Sequence, residues 1–186
     1  MCSPVGHGLA GIALSWRRSR VLHFNPAVWL PSLLGLSVLP DLDFLPGLLV
    51  GHPNVYHHGW THSIVFCAAA AALITAVLSL AGKPGAVKTG AVCLLVLLSH
   101  LALDCVSMDR LPPRGLQVLW PFSDRYVISP VALFLDVNKG LDNGTFLLRL
   151  ATFHNVKTVL VETALLGPLA AWAWFGNRGR KGVVAE

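Results

Sequence analysis

Residues Ser63 to Gly82, SIVFCAAAAALITAVLSLAG, run for 20 residues without a charged side chain. A helix rises about 1.5 Å per residue, so about 20 such residues cross the hydrocarbon core of a bilayer. That run predicts a membrane helix. Thr89 to Met108 is equally long and is broken only by His100 and Asp104, and Thr158 to Gly176 is broken only by Glu162. Upstream, Pro4 to Trp16 and Pro26 to Pro40 are uncharged but shorter, and read as short or tilted helices. The expected fold is an all-α polytopic membrane helix bundle of about four to five membrane helices, one domain over 1–186. A long extramembrane loop, 109–157, joins the fourth and fifth helices and carries the turn-forming pieces LPPRG, WPFSDR and DNG.

Composition agrees, with 54% hydrophobic residues against 12% charged, where a soluble domain carries about 25% charged. Net charge is +5, yet no basic face interleaved with aromatics appears, so no nucleic-acid partner is expected. Cys2, Cys67, Cys93 and Cys105 form no C-x-x-C pair and read as small buried hydrophobes. The uncharged MCSPVGHGLAGIALSW precedes Arg17, Arg18 and Arg20. A signal peptide places its basic residues first, so this segment is expected to stay in the mature protein.

Five threaded helices put Arg17, Arg18, Arg20, Lys83, Lys88, Arg178, Arg180 and Lys181 on one face, eight of the 14 basic residues. Short basic loops mark the cytoplasm, so a multi-pass protein of the inner (cytoplasmic) membrane is expected. The opposite, extracytoplasmic face receives the groups that carry chemistry.

Those groups are His7, Asp41 and Asp43 of LPDLD, His57 and His62 of HHGWTHS, and His100 and Asp104 of SHLALD. Ionisable groups at membrane depth are costly, and here they gather at one level. His100 and Asp104, at i and i+4, share a helix face and form a bidentate platform. Pro40 disfavours helix at Leu39, so Asp41-x-Asp43 is expected in a turn or extended stretch with both carboxylates toward one ion. His62 stands between Thr61 and Ser63, both possible helix caps, while His57 comes from a flexible side where Gly59 permits the bend. His58 is an alternative to His57, and His23, His52 and His154 read as interfacial. Mixed imidazole and carboxylate ligands point to a divalent metal ion, zinc first, one or two in number, with Asp43 or Asp104 as a bridge. A bland reading stands beside each: His7 as a hydrogen-bonded core histidine, and the two aspartates as a solvated helix-ending turn.

Glu162 is a candidate general base or a partner behind the ligands, its alternative being a pair with Lys157. Arg125, after Ser123 and Asp124, is a candidate clamp for an anionic group, its alternative being a structural turn.

In order, His7, LPDLD, HHGWTHS, HLALD and WPFSDR resemble the motifs of a bacterial and archaeal inner-membrane metal-dependent hydrolase family. Its members are described as LexA-binding, inner membrane-associated hydrolases. The resemblance covers about residues 7–130, with His58 standing where the family carries an arginine and Phe44 where it often has a further histidine. It implies a metal-dependent hydrolase, and no residue here accounts for a LexA-type partner, so none is expected. Metal-bound water is the expected nucleophile, acting on a lipid or lipid-linked ester or phosphoester that diffuses through the membrane. A divalent-metal transporter or a non-catalytic membrane scaffold is the alternative. A transporter would favour polar groups near the midplane of two related halves, and no repeat is visible.

Overall fold

The computed structural model describes residues 1–21 and 25–175, without the side chains of residues 16–21 and 26. His23, Arg178, Arg180 and Lys181 lie outside the described residues, as do the side chains of Arg17, Arg18 and Arg20. Among the described residues seven α-helices form: α1 Pro4–Val21, α2 Pro26–Ser37, α3 Phe44–Leu49, α4 Ile64–Leu80, α5 Ala86–Cys105, α6 Asn143–Leu150 and α7 Phe153–Phe175. No strand forms among the described residues, where only isolated bridges join Ser107 to Phe134 and Leu116 to Val127.

Two helices, Ala86–Cys105 and Phe153–Phe175, are long and apolar enough to cross a bilayer. Ala27–Ser37 and Leu39–Leu49, bent by 56°, add a third if they form one broken span. The expected four to five membrane helices are thus reduced to two or three among the described residues. The causes are local. Helix α4 is apolar but stops after 17 residues, because Gly82 turns the chain at φ +64° and the Lys83 N–H donates back to the Leu78 carbonyl. Helix α1 runs through Arg17, Arg18 and Arg20 instead of turning at them, so its last turns are charged. The second apolar stretch breaks at Val38, ahead of Pro40.

Helix α1 packs mainly on α7, and α4 on α5. Lipid tails are as apolar as leucine, so close packing of small residues must hold such helices together. A Cβ on Gly90 of α5 would lie 3.1 Å from the Thr75 Cβ of α4, and one on Gly6 would lie 2.9 Å from the Glu162 Cδ of α7. One buried cluster joins Trp29, Val92, Cys93 and Ala173; a second joins Cys67, Leu97, Leu101 and Leu116.

The segment after α5 is not a free loop. Met108 N–H donates to the Phe134 carbonyl at 2.9 Å, Leu116 and Val127 exchange two hydrogen bonds at 2.9 Å, and Ile64 N–H donates to the Val118 carbonyl at 3.0 Å. It covers the start of α4 and the end of α5, where the titratable groups meet. Its final part folds as α6, capped by the Asp142 side chain, and α7 begins at Phe153, earlier than the expected loop end at residue 157.

Candidate metal centre

Asp41 and Asp43 lie in a 3-10 turn, Leu39–Asp43, and not in an extended stretch. The turn follows from the break of α2, and it sends the two carboxylates to different atoms. Asp43 Oδ2 lies 3.0 Å from His62 Nδ1 and accepts from Thr61 Oγ1 at 2.9 Å and the His58 N–H at 3.1 Å. Its other oxygen meets His57 Nδ1 at 2.9 Å. Asp41 Oδ1 lies 3.6 Å from both His62 Nε2 and His100 Nε2.

Each imidazole is set by its element. Ser63 caps α4 by accepting the Phe66 N–H at 3.1 Å, which places His62 immediately before a rigid helix. His100, on α5, directs Nδ1 to the Ser37 carbonyl at 2.8 Å, in the last turn of α2, where carbonyls lack helical partners. A carbonyl only accepts, so His100 Nδ1 carries a proton and Nε2 is turned toward the cluster. By the same reasoning His62 Nδ1 donates to the Asp43 carboxylate. The two Nε2 atoms then face each other at 3.3 Å.

Asp104 Oδ2 lies 3.3 Å from His100 Nε2 and 3.7 Å from His62 Nε2. Asp41, His62, His100 and Asp104 thus converge on one point. Both Asp41 oxygens and Asp104 Oδ2 are buried without a hydrogen-bond partner. A cation placed among them would meet these oxygens and, with both rings neutral, the two Nε2 lone pairs. Nitrogens about 2.0–2.1 Å from a tetrahedral ion lie roughly 3.3 Å apart, so the spacing fits a metal. This buried group could hold a metal ion.

The remaining sequence candidates take positions around this centre. His7 stacks on His100 with ring centroids 3.8 Å apart, and its Nε2 lies 3.3 Å from Asp104 Oδ1. Neither His7 nitrogen makes a well-aligned hydrogen bond to another described residue. His57 lies behind Asp43 with Nε2 against Met1 Sδ at 3.2 Å, whereas His58 Nε2 faces Asp104 Oδ2 at 4.0 Å. The positive φ of this loop falls on His58, at 67°, and not on Gly59. A left-handed non-glycine residue costs about 1–2 kcal/mol, here offset by the His58 N–H bond to Asp43.

Two expected catalytic groups are elsewhere. Glu162 is fully buried but reaches the first residues of the chain: it accepts from Ser3 N–H at 2.7 Å, Cys2 Sγ at 3.1 Å and Ser3 Oγ. It touches the centre only through Cys2, whose N–H donates to Asp104 Oδ1 at 2.6 Å. Arg125 is exposed beyond Ser123, outside the cluster, in a turn where its own N–H donates to Ser123 Oγ. His52 is exposed, and His154 pairs with Asp136 at 3.0 Å.

Sequence reasoning passed over Asp109 and Lys139, both on the covering segment, since charges in a long loop read as solvated. Asp109 lies 3.4 Å from His58 Nδ1. Burial pushes His58 down to about 4 against the pull of Asp109. Burial would raise Asp109, but its hydrogen bonds to His58 and the Gly115 N–H hold it at about 2. The pair at neutral pH is therefore a neutral imidazole beside a carboxylate.

The family model described as YdjM inner membrane protein matches residues 1–179. The chain belongs to the YdjM inner membrane protein family. It is also 33% identical over 97 residues to the inner membrane protein YbcI of Escherichia coli strain K12. The aligned part covers 51% of this chain and 54% of YbcI, so the chain spans about half the length of that relative. No solved structure matches. Family and relative are both inner membrane proteins by name, which agrees with the localisation read from the motifs.

Proposed function

We propose that this YdjM family member is a metal-dependent hydrolase acting on a lipid or lipid-linked ester or phosphoester at the membrane surface. The observation that carries it is the pair of imidazole Nε2 atoms 3.3 Å apart, facing unpartnered Asp41 and Asp104 oxygens. Asp41, His62, His100 and Asp104 would hold the ion, zinc by the ligand set, with Asp104 placed to share a second ion with His7 or His58. Such an ion supplies Lewis acidity and an activated water. The protein's part is to orient the ligands from behind, through Asp43 on His62 and the Ser37 carbonyl on His100. His58, neutral and held by Asp109, is placed to take a proton released at Asp104's side of the centre.

A groove of about 430 Å³ between the Leu39–Leu49 segment and the start of α4 supports a lipid substrate. It is lined by Leu39, Leu42, Pro46, Tyr56, Trp60 and Phe66 and reaches Asp43 and Thr61. Apolar walls ending at a few polar groups suit an amphipathic molecule.

Purified protein should retain about one or two equivalents of a divalent ion by elemental analysis and turn over at least one member of a panel of phosphoester and acyl-ester lipids. Protein that holds no stoichiometric metal, and fails to rebind it after chelation and refeeding, would remove the reading. Full metal with no turnover, but metal flux into liposomes, would favour the transporter.

The site is proposed to face away from the cytoplasm. It lies at the start of α4 and the end of α5, opposite the Lys83–Lys88 turn that joins them. A thiol placed at the exposed Val55 should react with an impermeant reagent in intact spheroplasts while one at Lys83 stays protected; the reverse pattern would invert the orientation.

A further inference from the structure

Two cavities lie on the covering-segment side of the centre. The inner one, about 20 Å³ and so no larger than a water site, is lined by Asn54, His57, His58, Asp109 and Lys139. The outer one, about 290 Å³, is lined by Arg110, Asp136, His154 and again Lys139. Lys139 therefore lines both, between the outer cavity and the His57–His58 side of the cluster. Asp136 is paired with Arg110 at 3.4 Å and His154 at 3.0 Å, and Asp109 lies 3.4 Å from the neutral ring of His58.

Lys139 has no such partner. Among the described residues no carboxylate lies within 4.0 Å of its ammonium, whose contacts are Met1 Sδ at 2.9 Å and the Phe44 ring, 4.8 Å to the centroid. A thioether is a weak acceptor and an ammonium has three donors, so most of its hydrogen-bonding capacity is unused. Asp41, Asp43, Asp104 and Asp109 attract it from a distance, but an ion bound among them would cancel much of that attraction. Lys139 would then be a half-buried, unmatched cation beside the reacting centre, a costly state that an anionic ligand relieves.

We propose that Lys139 binds an anionic phosphate oxygen of the substrate, so that the substrate is a phosphoester and not a carboxylic ester. This rests on the hydrolase reading. A phosphoester carries its charge before reaction, whereas a carboxylic ester is neutral until attacked, so a standing cation at the junction selects the former.

The test titrates inorganic phosphate calorimetrically into the full chain in lipid nanodiscs, after its metal has been quantified. The wild type should bind phosphate, Lys139→Met should weaken binding about tenfold or more at unchanged metal content, and Lys139→Arg should stay within about threefold. Phosphate should also slow reductive methylation of Lys139 in the wild type, a measurement that needs no variant to fold. Wild-type protein with full metal that ignores phosphate, Lys139→Met that binds it equally well, or a methylation rate indifferent to phosphate would overturn the proposal. If the protein proves metal-free, the hydrolase reading falls by itself. Phosphate binding to that protein must still depend on Lys139, and its failure to do so overturns the anion site.

Discussion

Replacing His100 with alanine should empty the metal centre and abolish turnover, and Asp104→Ala should do the same, with the double variant little worse than either. Both side chains stand on one face of α5, 3.3 Å apart, and both face the same point as His62 and Asp41. Removing one leaves three inward acceptors, and residues that act as a unit show non-additive losses. Asp43→Asn should be milder, about 10–100-fold in metal affinity, because Asp43 orients His62 from behind through Nδ1. The exposed Asp124→Ala should change neither quantity. Elemental analysis with competitive chelation reads the metal content of all five variants, and the lipid-ester panel reads their turnover. A His100→Ala protein with wild-type metal and activity would mean the site is wrongly assigned.

Much of this centre was legible because its pieces sit on short-range rules. The i,i+4 spacing puts His100 and Asp104 on one stripe whatever surrounds the helix, and two possible caps, Thr61 and Ser63, put His62 at a helix start without knowledge of the fold, Ser63 being the one that caps. Pro40 marked a break correctly in place but not in kind. A proline three residues after the last residue of a helix permits either an extended exit or a 3-10 turn, and tertiary contacts of Asp41 and Asp43 with the histidines accompany the turn seen here. The span count failed for a related reason. Uncharged length is a property of sequence, but helix length is set by where Gly82 and the Val38 break end hydrogen bonding. Lys139 and Asp109 were not legible at all, since nothing local distinguishes a loop charge folded back over a cavity from one in water. Their placement depends on the bonds of Met108, Leu116 and Gln117 to distant backbone.

Glu162 is where sequence and structure suggest different roles, and the second large effect is expected there. Its carboxylate accepts from Ser3 N–H, Ser3 Oγ and Cys2 Sγ, beside the N-terminus of α1, where negative charge is favoured. Glu162→Ala would leave buried donors unsatisfied at about 1–3 kcal/mol for each group and open a gap beneath Gly6. Thermal unfolding in micelles should show a loss of about 3 kcal/mol or more, among the largest for a single buried polar residue. Metal affinity should fall as well, because Cys2, released from Glu162, no longer holds Asp104 by its N–H. Glu162→Gln separates this positioning role from proton transfer. The amide retains an acceptor for the Ser3 N–H, so stability should be largely restored and turnover should stay within about tenfold of wild type, whereas losing a general base costs about 10²–10⁴. A stable, metal-replete Glu162→Gln protein with turnover reduced by a hundredfold would make Glu162 the base after all.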